Sequence, residues 1–93
     1  MSSSFPDQTS DQITVTVKLF AAYQESYGAP EIVLAFPSNT PVEAVCDRLI
    51  HEHPELEQWR SVTRFGINLQ FVQPGTALKD GDEVVLIPPV SGG

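Results

Sequence analysis

The chain has 93 residues, 41% of them hydrophobic, with 12 acidic against 5 basic side chains and a formal charge of −7. That length and apolar content suit one small domain with its own core, while so few scattered cations argue against a nucleic-acid partner, whose phosphates demand clustered Lys and Arg. The lone cysteine, Cys46, excludes an internal disulfide or a cysteine-cluster metal site, and no run approaches the ~18 apolar residues of a membrane span.

Residues 1–11 are polar and low in complexity, and are expected to form a flexible N-terminal extension. They lack the basic and apolar regions of a signal peptide, so a soluble, cytoplasmic protein is expected. From Ile13 the pattern alternates, with Ile13, Val15, Val17 and Leu19 set against Thr14, Thr16 and Lys18. This predicts a half-buried strand. Ala21 to Pro30 reads as a connection with a short helical turn, closed by Tyr27-Gly28-Ala29-Pro30. Glu31 to Phe36 predicts a second strand carrying Ile32, Leu34 and Phe36 on one face.

The main helix follows. Thr40-Pro41-Val42-Glu43 has the form of a capping box, with Thr40 as N-cap, Pro41 at the first helical position and Glu43 reaching back. Val42, Val45, Cys46, Leu49 and Ile50 then make one apolar stripe. His53-Pro54 ends the helix, because the residue before proline is pushed out of the α region. Pro54 to Trp59 suggests a second short helix, and Arg64 to Asn68 a strand with Phe65 and Ile67 inward. A turn at Asn68-Leu69 leads into Gln70-Phe71-Val72. Leu78 to Asp82 is a turn whose Asp80-Gly81 supplies positive φ, and Glu83 to Ile87 is the last strand. Two strands, a helix and three more strands give an α+β domain over residues 12–87. The β-grasp, or ubiquitin-like, plan is expected: a mixed sheet of four to five strands with one main helix packed on one face.

Beyond Ile87 the sequence reads Pro88-Pro89-Val90-Ser91-Gly92-Gly93. The prolines hold this segment extended, and the glycines let a backbone enter channels that a Cβ would block. An extended C-terminal tail, residues 88–93, able to enter another protein's active site is therefore expected. At the base of the tail, strand parity turns Val85 and Ile87 outward if Val84 and Leu86 face the core. Phe20 lies on the parity opposite Val17 and Leu19, and Phe71 lies in an outer strand. Phe20, Phe71 and Ile87 are thus expected to form an exposed apolar patch for partner binding.

The run from Leu78 through Asp80-Gly81-Asp82-Glu83 to Pro88-Pro89-Val90-Ser91-Gly92-Gly93 resembles the C-terminus of the small, sulfur-carrying subunit of molybdopterin synthase, in the ubiquitin-like sulfur-carrier family. Val17-Lys18-Leu19-Phe20-Ala21 and Phe65-Gly66-Ile67-Asn68 add to the likeness, which covers roughly Ile13 to Gly93. The resemblance implies a sulfur carrier in molybdenum cofactor biosynthesis. An adenylating activating enzyme consumes ATP to adenylate the Gly93 carboxylate, which becomes a thiocarboxylate. The tail, Pro88 to Gly93, then enters the large subunit of the synthase, and the sulfur passes to cyclic pyranopterin monophosphate to build the dithiolene. It further implies a heterotetramer of two carriers and two large subunits, a sulfur donor such as a cysteine desulfurase or rhodanese-like protein, no bound cofactor and no metal. No catalytic residue is implied on the carrier itself. Phe20, Phe71 and Ile87 match the family's partner-contact surface.

Other residues read more plainly. Cys46, on the apolar stripe, is expected as a buried small hydrophobe. His51 and His53 are expected to be solvated, as is the Asp80, Asp82 and Glu83 turn. Trp59 is expected to plug the core edge, and for Arg64 and Lys79 two readings stay open, a plain surface role or complementing acidic surface on a partner. Three other functions stay open. One is the sulfur donor for thiamin thiazole synthesis, whose chains are typically shorter and lack the Pro-Pro-Val-Ser spacing. The second is a ubiquitin-like protein modifier, and the third a binding module with an incidental tail.

Overall fold

The computed structural model describes residues 12–88. The expected extension, residues 1–11, and residues 89–93 of the expected tail lie outside them. Strand β1 (Gln12–Leu19) realises the alternation: Ile13, Val15, Val17 and Leu19 are buried while Thr14 is exposed. Helix α1 (Ala21–Tyr27) follows directly and is closed by Gly28, whose left-handed backbone (φ 67°) lets its N–H donate to Gln24 O at 2.8 Å. Strand β2 (Glu31–Pro37), helix α2 (Glu43–Glu52) and a 3₁₀ segment (Pro54–Val62) come next, then β3 (Arg64–Ile67), β4 (Gln70–Val72) and β5 (Glu83–Ile87).

The strands form one sheet in the order β2-β1-β5-β3-β4. β1 runs antiparallel to β2 and parallel to β5, and β5 runs antiparallel to β3. The last strand in the sequence is therefore the middle one of the sheet. One face carries Val15, Val17, Leu19, Phe65, Val84 and Leu86 onto Val45, Cys46, Leu49 and Ile50 of α2, closing a single core. This is the β-grasp plan, with α2 packed on a mixed five-stranded sheet.

The start of α2 differs from its expected form. Thr40 does not cap the helix; its hydroxyl donates to Pro37 O at 2.6 Å, and Pro41 bridges Ala77. Val42 stands at the N-cap position with no side-chain cap. The leading backbone donors are met instead from the 74–76 loop: Val42 N–H donates to Thr76 O (2.8 Å) and Glu43 N–H to Pro74 O (3.0 Å). Tertiary carbonyls do the work assigned to a local side chain. The helix ends as the proline dictates, at His53 (φ −134°, ψ 82°).

Two further expectations are corrected. Asp82 is not a solvated turn residue but is 8% exposed. Its carboxylate accepts from Lys79 N–H at 2.8 Å and from Asn68 Nδ2 at 3.0 Å, so one donor from the turn and one from the β3–β4 connection cover the buried carboxylate. His51 is exposed, but His53 is partly buried, edge-on to Tyr27 at 4.3 Å between ring centroids and 3.4 Å from Glu55 Oε2.

Cys46 is buried, as expected, beside a polar pair that joins three elements. Thr63 donates its hydroxyl proton to Trp59 O at 2.8 Å, so at 2.5 Å it accepts from Tyr23, whose oxygen lies 3.7 Å from Cys46 Sγ. Tyr23 is fully buried, and burial pushes its phenol well above the ordinary tyrosine range. Tyr23→Phe leaves the Thr63 oxygen without its donor and is expected to cost about 1–2 kcal/mol, measured by urea unfolding at neutral pH. Because the folded state holds the proton more tightly than the unfolded chain, this stability is complete below about pH 10 and is lost as pH climbs towards the raised folded value. The alkaline decline should accordingly be shallower in Tyr23→Phe than in the unaltered chain.

Candidate functional site

Opposite the helix, the sheet presents a second face whose composition follows from register. Phe65 pairs with Leu86 and so faces the core; Gly66, paired with both Val85 and Phe71, lies on the outer face. Leu19 pairs with Leu86, which sets Phe20 beside Ile87, and Arg64 pairs with Ile87 on the other side. Phe20, Phe71 and Ile87, from three separate parts of the chain, therefore line one hollow of about 380 Å³. Phe20 is 48% and Phe71 73% exposed, while Ile87 is half-buried. These are large apolar side chains left facing water together, the pattern of an interaction surface rather than of scattered exposure.

Sequence reasoning missed part of this hollow. Gly66, Leu69 and Gln70 line it as well, and Val85, recognised only as outward-facing, forms part of its wall. Leu69 is 90% exposed. It sits with Asn68 in the two-residue connection of the β3–β4 hairpin, both with positive φ (50° and 74°), as such short loops require. The Asn68 side chain fixes this tip: its Nδ2 donates to Asp82, and its Oδ1 accepts from Glu83 N–H at 3.0 Å. The sequence offered no signal for it beyond the turn at Asn68-Leu69, because neither residue is the glycine that would announce a positive φ pair.

Charge frames the hollow. Lys18, paired in register with Val85, is held by Glu31 at 2.6 Å and Glu83 at 3.8 Å, and these partners raise its pKa, the Glu31 hydrogen bond most. Arg64 is exposed beside Ile87. Val33, 62% exposed on the same face, lies across β1 opposite Thr16, away from the hollow.

Pro88 corrects the expected start of the tail. It is buried, continuing the inward parity of Val84 and Leu86, so it belongs to the body and not to a projecting segment. Pro89, Val90, Ser91, Gly92 and Gly93 lie outside the described residues. Among the described residues no group of three or more His, Cys, Asp or Glu side chains is placed to hold a metal ion, and no helix is long and apolar enough to cross a membrane.

A model of the ThiS family matches residues 17–93. The molybdopterin synthase sulfur carrier subunit of Arabidopsis thaliana is 33% identical over 87 residues, covering 94% of this chain and 90% of that protein. The crystal structure of small archaeal modifier protein 1 from Haloferax volcanii superposes with a TM-score of 0.72 at 28% identity, over 84% of this chain and 99% of that one. In a complex of subunits 1 and 2 of molybdopterin-converting factor from Helicobacter pylori, one chain shares the fold, with a TM-score of 0.57 at 24% identity over 87% of this chain and 100% of its own length.

Because Phe71 contributes exposed surface and little core, Phe71→Asp is expected to change unfolding free energy by no more than about 0.5 kcal/mol. The same variant should lose most of the fluorescence of an apolar dye bound to the free protein, read by titration against the unaltered chain.

Proposed function

The chain belongs to the ThiS family, and on that footing we propose that it is the sulfur-carrying small subunit of a molybdopterin synthase, with sulfur borne on the carboxylate of Gly93. The supporting observation is the placement of β5: it runs through the centre of the sheet, and its last residue, Ile87, lines the apolar hollow. A rigid body with a docking face at the base of a slender segment is the form a covalent carrier needs. The family match extends to Gly93 itself, and the Arabidopsis relative carries the name of a sulfur carrier subunit.

The chemistry proceeds in three stages. A carboxylate is a poor acyl donor because its oxide leaving group is strongly basic. ATP, consumed on a separate activating enzyme, converts the Gly93 carboxylate into an acyl-adenylate with release of pyrophosphate. The terminal sulfur of a persulfide, carried by a donor such as a cysteine desulfurase or rhodanese-like protein, then displaces AMP to give an acyl disulfide. A thiol cleaves its S–S bond, freeing the thiocarboxylate while that thiol and the donor cysteine are left joined as a disulfide. The sulfur stays nucleophilic yet covalently held until the large subunit brings it to cyclic pyranopterin monophosphate. The carrier supplies position rather than acid, base or metal, with two carriers and two large subunits in the working assembly. The Helicobacter fold relative is itself one half of a two-subunit complex. The apolar hollow at Phe20, Phe71 and Ile87 is the surface for that partner.

A second reading is favoured by one observation, the likeness to a protein named a modifier. In that reading the activated Gly93 is joined to amines on other proteins. Incubation with ATP, the activating enzyme and a sulfur source, followed by intact mass, separates the two. Replacement of one oxygen by sulfur supports the carrier; covalent ladders on other proteins support the modifier; an unchanged mass overturns both.

Two outcomes are expected of variants. Gly92→Phe and Gly93→Phe should abolish thiocarboxylate formation while the thermal midpoint stays unchanged, and normal loading in either would refute the assignment. Phe71→Asp should weaken binding to the large subunit by at least about tenfold, measured by calorimetry, since exposed aromatics at the centre of an interface carry most of its affinity.

A further inference from the structure

Two residues of the hollow are ones that the fold by itself does not ask for. Gly66 sits within β3, where a glycine gives up cross-strand contacts and weakens the sheet. Its backbone is not left-handed. A Cβ built there would meet Gln70 O at 3.5 Å and the Val85 Cβ at 3.7 Å, both ordinary contact distances. Neither conformation nor crowding explains the missing side chain. Leu69 presents the converse case. It holds φ at 74°, a region that suits Gly or Asn and penalises leucine, and its side chain is 90% exposed. The Asn68 clasp to Asp82 and Glu83 holds the tip in that conformation. Both choices work against local stability, and they meet at one hollow. Local rules broken together at one surface mark a place shaped for something else.

We propose that Gly66 and Leu69 are the floor and rim of a socket that receives one apolar side chain from the large synthase subunit, and so help to determine which partner the carrier accepts. The proposal rests on the reading given under Proposed function and adds to it the contact that discriminates between partners. The occupant follows from reach. Five residues follow Pro88, and they span at most roughly 17 Å. They start two residues beyond Ile87, which is itself part of the socket wall. A protein that draws Gly93 into its active site must therefore lie over this wall. The space of about 380 Å³ admits a leucine or aromatic side chain. Walls built from Val85, Phe71, Ile87 and Leu69 leave a charged group without partners, so the entering side chain is aliphatic or aromatic. Lys18 and Arg64, beside the socket, meet polar groups around it.

The test uses the full chain and the large subunit from the same organism, with affinity measured by calorimetry and stability by thermal melting. Gly66→Leu fills the socket and Leu69→Asn removes its rim while suiting the left-handed backbone. Each variant is expected to melt at or above the temperature of the unaltered chain yet bind at least about tenfold more weakly, with Gly66→Ala between them and the unaltered chain. A rise in stability joined to a loss of affinity is what a merely structural role would not produce. Unaltered affinity in both variants overturns the socket, and so does a lowered melting temperature in both. Should Gly66→Leu alone misfold, Leu69→Asn and Gly66→Ala decide the matter. A concentration-dependent dimer of the free chain that Gly66→Leu abolishes would assign the socket to a second copy and overturn the proposal. Failure of the unaltered chain to load sulfur or to bind the large subunit would instead sink the preceding reading, a result distinct from normal loading and binding that ignore both substitutions.

Discussion

The parallel pairing of β1 with β5 is the constraint from which the rest of the molecule follows. A parallel pair needs a long crossover, and here everything between Leu19 and Glu83 supplies it, including α2 and the whole β3–β4 hairpin. The pairing is fixed at its start by the turn before β5: Asp80 accepts from Thr14 N–H at 2.8 Å, Gly81 N–H donates to Thr14 O, and Thr16 N–H donates to Asp82 O. Once that register is set, Leu86 lies beside Leu19 in the core. The next residues along, Phe20 and Ile87, are forced together on the opposite face. The apolar hollow is thus a by-product of the same alignment that fills the interior.

The polar interactions of the domain serve that alignment more than they add stability outright. Asp82 is nearly buried, yet its carboxylate is met by the Lys79 amide and the Asn68 side chain, and Asn68 in turn holds the Glu83 amide. One small network therefore ties the start of β5 to the tip of the β3–β4 hairpin. At the other side of the sheet, Arg48 lies over the Phe36 ring at 4.7 Å and donates to Ala35 O at 3.2 Å. Its guanidinium occupies a carbonyl of the edge strand β2, and Pro37 ends that strand with a residue lacking an N–H. Both features discourage another strand from adding there, which matters for a protein that leaves apolar surface exposed elsewhere.

Much of this was legible in the sequence because it depends on period. The alternation of Ile13, Val15, Val17 and Leu19, the stripe on α2, and the outward parity of Ile87 all follow from repeat distances of two and three to four residues. What was not legible depended on contacts across the fold. The Thr40-Pro41-Val42-Glu43 signature is a sound local argument, but Pro74 and Thr76 deliver carbonyls to the helix start that no local pattern announces. Asp82 looked solvated because aspartates in turns usually are, and its burial is decided by Asn68, fourteen positions away. Pro88 was assigned to the tail by its chemistry, whereas parity with Leu86 places it in the body. Gly66 and Leu69 escaped notice for opposite reasons: a strand glycine carries no pattern, and one exposed leucine is unremarkable until its neighbours are known.

The placement of the last strand also governs how the protein can be made. Contacts distant in sequence form slowly, and here the sheet has no middle until the ribosome has synthesised residues 83–87. A prematurely terminated chain would keep β1 and β3 but lack the strand that joins them, leaving Val17 and Phe65 without the neighbour they pack beside. Such a fragment also lacks Val85 and Ile87, and with them part of the wall of the apolar hollow. Topology therefore ties the hollow to the last strand: until β5 inserts between β1 and β3, Phe20 and Phe71 have no shared wall.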